Sequence, residues 1–129
     1  MPSEWKIWLV LLGCGSALGA AIAAVDNLAC GGEISPLVIV TLLAVTAAVA
    51  GLSAGGRGAV AALVAAAWLP AVHLVKKVLD VPDTLQPATY GSIAKLAALV
   101  IVVATVGATV GIGARRTFST QRGGRAARR

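Results

Sequence analysis

The side chains that could do chemistry in this chain gather around one histidine. His73 is the only histidine, and three charged residues follow it closely: Lys76, Lys77 and Asp80. On a helix these four occupy an arc about 100° wide. Because histidine changes charge near neutral pH, this face, together with Lys95, is a candidate gating or solute site. The alternative is an interfacial histidine, with lysines that extend toward water.

No other group of residues suggests catalysis or metal binding. The acidic residues all fall in predicted flanks or loops: Glu4, Asp26, Glu33, Asp80 and Asp83. Cys14 and Cys30 lie far from His73 in the sequence and make no credible metal set with it. An enzyme needs an acid, a base or a nucleophile positioned in a cavity. We therefore expect no enzyme, no metal and no cofactor.

Four apolar stretches must position these side chains. A helix that spans a bilayer needs about 20 apolar residues, at about 1.5 Å of rise per residue. Stretches of this kind cover residues 6–25, 35–52, 58–76 and 91–114. The predicted fold is therefore an all-α polytopic membrane protein, with four transmembrane helices in a small antiparallel bundle over residues 1–114.

Several residues in the connectors and helices predict where a helix begins, turns or bends. Ser35-Pro36 predicts the start of the second helix, and the glycines around Arg57 predict a tight hairpin to the third. Pro70 predicts a kink near residues 66–70. Cys14, in the first span, is expected to be a buried apolar filler, too far from Cys30 for a disulfide.

Small residues recur at spacings of four, which favours close helix packing. The glycines concerned are Gly15 and Gly19 in the first span and Gly107 and Gly111 in the last. Serine and threonine stripes lie on the second and fourth spans. We expect their hydroxyls to bond back to the preceding turn, with bonds between helices as the alternative.

The positive charge is concentrated at the C-terminus. Residues 115–129 contain six arginines and no acid: Arg115, Arg116, Arg122, Arg125, Arg128 and Arg129. We expect a disordered basic tail that contacts anionic lipid headgroups, and nucleic acid is not expected as a partner. Because loops rich in Lys and Arg stay inside, the chain is predicted to be a multi-pass protein of the cell (inner) membrane, with both termini cytoplasmic.

Three functions fit these features. The favoured one is an oligomeric pore or membrane-permeabilising protein, and in layout alone the chain resembles phage holins. The second is a noncatalytic subunit or scaffold of a larger membrane complex. The third is a small-solute or anion carrier, with its site near His73, Lys76 and Lys95. In length and helix number the chain is similar to small multidrug transporters, but no acid lies in a predicted span core, which argues against proton-coupled export.

Overall fold

The chain folds as four packed helices, as the sequence predicts. The computed structural model describes residues 3–28, 36–83 and 89–126. Its helices are α1 (Glu4–Leu28), α2 (Pro36–Ala54), α3 (Gly56–Val78) and α4 (Tyr90–Ala126). All four are long and apolar enough to cross a bilayer. The prediction of an all-α membrane protein with four candidate spanning helices is confirmed.

The helices are not arranged symmetrically. α3 packs against the other three helices, and α2 packs closely along α4. α1 lies on the outer side of α3, touches α2 only slightly and, within the described residues, makes no contact with α4. The result is a three-helix core with a fourth helix attached to it. The centre of the core is filled by small side chains, of which Ala47, Ala66 and Ala104 are completely buried.

Glycines set the distance between these helices. A Cβ atom on Gly15 would lie 2.6 Å from the carbonyl oxygen of Ala61, and one on Gly19 would lie 2.5 Å from that of Ala65. Gly107 and Gly111 bring α4 equally close to the backbone of α2. All four predicted packing glycines therefore lie at contacts within the chain. In a bilayer, such close approach is what van der Waals packing between helices needs.

The helix connections define two ends of the bundle. The terminal end contains Glu4, the α2–α3 turn and Arg115, which donates a hydrogen bond from Nη1 to the carbonyl oxygen of Ser53 at 3.3 Å. The turn is made by Gly55 alone, at φ 61°, a conformation that favours glycine. The opposite end, where α1 and α3 finish and α2 and α4 begin, is called the loop end below.

α4 is longer than the sequence predicts. It continues past Arg115 to Ala126, about 16 Å beyond the terminal end at 1.5 Å per residue. The predicted disordered tail is thus helical over residues 115–126, and residues 127–129 lie outside the described residues. The physical reason is that a helix already formed extends without a new nucleation cost. Thr117 and Thr120 assist by donating hydrogen bonds to carbonyl oxygens one turn earlier.

Several hydroxyl groups in the described part of the spans bond to their own helices. Thr41, Thr105 and Thr109 lie on exposed faces, and each donates to a backbone carbonyl one turn earlier, at 2.7 to 2.8 Å. Ser53 does the same at 3.1 Å. Because these donors are satisfied locally, their faces tolerate lipid and do not require a water-filled lumen.

Candidate functional site

His73 is buried in the last two turns of α3. Its side chain is only 3% exposed, and it is the one polar residue within the described buried core. The sequence predicts an interfacial histidine as the alternative to a gating role, so this burial is informative. Buried polar groups need hydrogen-bond partners, and ionisable groups inside a membrane bundle are costly unless they are paired.

Two carboxylates flank the imidazole ring. Nε2 of His73 lies 3.2 Å from Oδ2 of Asp26, and Nδ1 lies 2.7 Å from Oδ1 of Asp83. The Asp83 side chain is 2% exposed and the Asp26 side chain 20%. Of the imidazole and the two carboxylates, Asp26 is therefore the group with the most exposed side chain. The sequence places Asp26 in a loop, but the structure puts it in the last turn of α1.

Lys76 and Asn27 complete the group. The Lys76 ammonium lies 3.7 Å from Oδ1 of Asp83 and donates a hydrogen bond to the side-chain oxygen of Asn27. Asn27 in turn donates from Nδ2 to the carbonyl oxygen of Ala23 at 2.8 Å. We call these five residues, Asp26, Asn27, His73, Lys76 and Asp83, the His73 cluster. It joins the end of α1, the end of α3 and the segment that follows α3.

The packing of α1 on α3 explains the Asp26 contact. Gly15 lies against Ala61, and Gly19, one turn later, lies against Ala65. The two helices run in the same direction, so continuing in step for about two more turns brings Asp26 beside His73. The glycine contacts therefore set the register that closes one side of the cluster.

A helix-ending turn explains the Asp83 contact. The backbone N–H of Val81 donates to the carbonyl oxygen of Lys76, and that of Asp80 donates to Lys77, which is the Schellman pattern. Asp80 occupies the left-handed position at φ 54°, where glycine is usual. This turn reverses the chain, so that Asp83 returns along α3 to His73. It also removes Asp80 from the helical face on which the sequence places it.

The hydrogen-bond geometry limits how many protons the His73 ring and the two carboxyl groups can carry together. A neutral imidazole has one N–H, whereas both ring nitrogens of His73 face carboxylate oxygens. Two hydrogen bonds form only when the ring carries two protons or when one carboxyl group is protonated. Both states hold the same number of protons. In the first, the charges of His73 and Lys76 balance the two carboxylates; in the second, Lys76 balances the one carboxylate that remains. The cluster is neutral overall in both. Loss of one proton removes a hydrogen bond and leaves a net negative charge.

The comparisons with known proteins give no family. No protein-family model, curated protein or solved structure matches this chain. The features that bear on function are therefore the geometry of the His73 cluster and the four helices that are long and apolar enough to cross a membrane.

The other predicted site residues lie elsewhere. Lys77 lies with its ammonium 6.0 Å from the centre of the Tyr90 ring, and Lys95 is exposed on α4. Arg115, Arg116 and Arg122 are exposed at or beyond the terminal end, whereas the side chains of Arg125, Arg128 and Arg129 lie outside the described residues. Of the predicted gating residues, the structure brings together His73 and Lys76 only.

Three members of the site are not predicted by the sequence pattern: Asp26, Asn27 and Asp83. The order of the spans could have indicated them. Spans one and three run in the same direction, so both end on the side of the bundle where these residues lie. No set of three or more His, Cys, Asp or Glu side chains in residues 3–28, 36–83 and 89–126 could hold a metal ion.

Proposed function

We propose that this integral membrane protein is a small permeation protein whose activity is controlled by protonation of the His73 cluster. The observation that carries this proposal is the buried imidazole held between two carboxylates, Asp26 on α1 and Asp83 after α3. Ionisable groups buried within a membrane bundle mark ion paths, proton relays or sensors more often than packing.

The cluster is suited to respond to pH because it holds separate segments together. When it carries its full set of protons, both ring nitrogens are hydrogen-bonded and the charges cancel. When a proton leaves, one of the two contacts loses its hydrogen bond. The two carboxylates, Asp26 and Asp83, then repel each other across a neutral ring. The attachment of α1 to α3 at the loop end is then weaker, and this is the physical change that a gate requires.

The path for a solute lies outside the helical core of one chain. Ala47, Ala66 and Ala104 are completely buried at its centre, which leaves no room for water along the axis of the monomer. We therefore propose that permeation takes place between copies in an oligomer, with the His73 cluster as the control site of each copy. An anion carrier is less suited to this site, since two carboxylates of the cluster would repel the solute.

The second candidate is a noncatalytic subunit of a larger membrane complex. It is favoured by the helical extension of α4, which continues past the terminal end and displays Arg116 and Arg122 to solvent. In both candidates we propose that the terminal end faces the cytoplasm, because arginines flanking spans stay inside. The membrane would then be the cell (inner) membrane.

Proton-controlled permeation is testable with the purified chain in liposomes. Release of a small trapped dye or of potassium is measured while the pH on the loop side is raised from about 5 to about 9, across the range where histidine changes charge. We expect release to increase as the pH rises. His73→Gln, which keeps a polar side chain but cannot titrate, is expected to abolish the pH response. Lys95→Gln, at an exposed lysine outside the cluster, is the matched control and is expected to behave like the wild type.

Two results would overturn the proposal. One is release that follows pH equally in His73→Gln and in the wild type. The other is the absence of release from wild-type liposomes at every pH, together with a stoichiometric membrane partner that co-purifies with the chain. This second result would support the subunit.

A further inference from the structure

A groove runs between α1 and α2 in the half of the bundle near the terminal end. It has a volume of about 390 Å³, and its walls are formed by Cys14 and Leu18 on one side and by Val45 and Val49 on the other. Small residues of α3, including Ala61 and Ala65, form the floor. The sequence predicts Cys14 as a buried filler, whereas the structure exposes it in this groove.

The groove exists because α1 is attached to α3 and not to α2. The glycine contacts hold α1 close to the floor, while α1 and α2 touch only slightly. The groove is apolar over nearly all of its surface. In a chain that spans a membrane it opens toward the hydrocarbon, where water has too few polar partners to fill it.

Two arginines lie at the terminal end of the groove. Arg115 donates to the carbonyl oxygen of Ser53, and Ser53 itself lines the groove. Arg57 lies one turn from the floor residue Ala61, with its guanidinium 6.0 Å from the centre of the Trp8 ring. One acid is nearby, Glu4, which forms an exposed ion pair with Arg57 at 2.6 Å.

We propose that this groove is a binding site for an anionic phospholipid of the membrane. One acyl chain lies between α1 and α2, and the phosphate is bound by Arg57 and Arg115. Guanidinium groups suit phosphate because they donate paired hydrogen bonds, and basic residues at this depth attract anionic headgroups. Trp8 lies where indole rings favour the boundary between headgroups and hydrocarbon.

Charge argues against a helix from a second copy as the occupant. A second copy that crosses the membrane in the same direction would bring its own Arg57 and Arg115 to the same end of the groove, where like charges repel. A phosphate at this end has the opposite charge. An acyl chain is much thinner than a helix and is present wherever the protein is in a membrane.

Lipid capture tests the proposal. The full chain is placed in bilayer nanodiscs that contain equal amounts of phosphatidylglycerol and phosphatidylcholine, with a photoactivatable group on the acyl chain of one lipid or the other. We expect phosphatidylglycerol to label the groove walls around Cys14 and Val49. Cys14→Phe fills the groove and is expected to abolish this labelling. Val102→Phe, at an exposed position of α4, is the matched control and is expected to leave it unchanged.

The headgroup contact is tested separately. Arg57→Gln and Arg115→Gln are each expected to lower the capture of phosphatidylglycerol about fivefold, the factor that one arginine contributes near an anionic surface. Arg122→Gln, farther along α4, is expected to have little effect on labelling of the groove. The thermal unfolding temperature of each variant in detergent shows that the fold is retained.

Three results would overturn the lipid site. They are equal labelling by both lipids, unchanged labelling of Cys14→Phe, and efficient crosslinking between Cys14 residues of two copies. The site is independent of the proposed permeation function. His73→Gln is expected to bind the lipid normally, so failure of either proposal leaves the other standing.

Discussion

Each end of the bundle contains a close contact between a basic side chain and a carboxyl group, and the two contacts are of nearly the same length but differ completely in their surroundings. At the loop end, His73 and Asp83 lie 2.7 Å apart with side chains 3% and 2% exposed. At the terminal end, Arg57 and Glu4 lie 2.6 Å apart with side chains 43% and 72% exposed. Exposed pairs contribute little because water and salt screen them, whereas a buried charge depends on its partner. Because of this difference in burial, and not in distance, the loop-end pair is expected to contribute more to stability than the terminal-end pair.

The two ends also differ in how they are built. The loop-end pair depends on the register of α1 on α3 and on the left-handed turn at Asp80, so several elements must be in place together. The terminal-end pair is formed by two exposed side chains that reach each other above the bundle. Substitutions at the loop end are therefore expected to have larger and more distant effects.

The largest effect is expected from removing a buried carboxylate. Asp83→Ala leaves His73 and Lys76 without their common counter-charge and is expected to lower the free energy of unfolding by about 3 to 5 kcal/mol. Unfolding in detergent by titration with sodium dodecyl sulfate measures this value. A loss below about 1 kcal/mol, the range of exposed pairs, would mean that the loop-end pair is not buried as described.

Glycine contacts provide the next test. Gly19→Ala introduces a methyl group against the backbone of Ala65 and the ring of Trp68. It is expected to cost about 2 kcal/mol by overpacking and to move Asp26 away from His73. Gly13→Ala, on the same helix with open space around it, is the control and is expected to be neutral.

Gly58→Ala tests whether the two ends of the bundle respond independently to a substitution. Its methyl group would overlap the carbonyl of Ala50 near the terminal end, so a similar loss of stability is expected. The nuclear magnetic resonance signal of the His73 ring should shift in Gly19→Ala and stay unchanged in Gly58→Ala. The same shift in both variants would contradict the separation of the two ends.

The pH dependence of stability should also differ between the ends. Loss of a proton from the His73 cluster removes a hydrogen bond to a charged group, a contact that contributes about 1.5 to 3 kcal/mol. This contribution is present while the cluster keeps its proton and is lost as the pH rises. The unfolding free energy is therefore expected to fall as the pH rises above about 6.5, the ordinary pKa of histidine. His73→Gln should flatten this fall, whereas a fall that persists in the variant would assign it to another group.

The smallest effect is expected at the terminal end. Glu4→Gln removes the exposed partner of Arg57 and is expected to change the unfolding free energy by less than about 0.5 kcal/mol. Raising the salt concentration should make even this difference disappear, because salt screens exposed charges. A loss comparable to that of Asp83→Ala would remove the distinction between the two ends.

The sequence was sufficient to predict the helices but not their arrangement. Runs of apolar residues predicted both ends of α1, α2 and α3 and the start of α4 to within a few residues, because length and hydropathy follow directly from the bilayer. They could not show that α1 lies against α3 and away from α4, since an exposed apolar face and a packed one look alike in composition. The continuation of α4 was missed because the basic segment contains no apolar run, although its backbone extends an existing helix.

The His73 cluster shows the same limit at the level of single residues. The sequence singled out His73 and Lys76 by their helical spacing, and these two do lie together. Asp26 and Asp83 were assigned to loops because they flank the apolar runs. Asp26 instead belongs to the last turn of α1, and Asp83 reaches His73 only because Asp80 adopts a left-handed conformation in place of the usual glycine.

The protonation and contacts of His73 in a lipid bilayer test the central claim most directly. The chain has one histidine, so solid-state nuclear magnetic resonance of protein labelled at histidine and aspartate gives a single, unambiguous imidazole signal. The structure predicts that both ring nitrogens show contacts to aspartate carboxyl carbons, one from Asp26 and one from Asp83, and that each contact disappears in the corresponding asparagine variant. An imidazole that exchanges freely with water and shows no aspartate contact would contradict it.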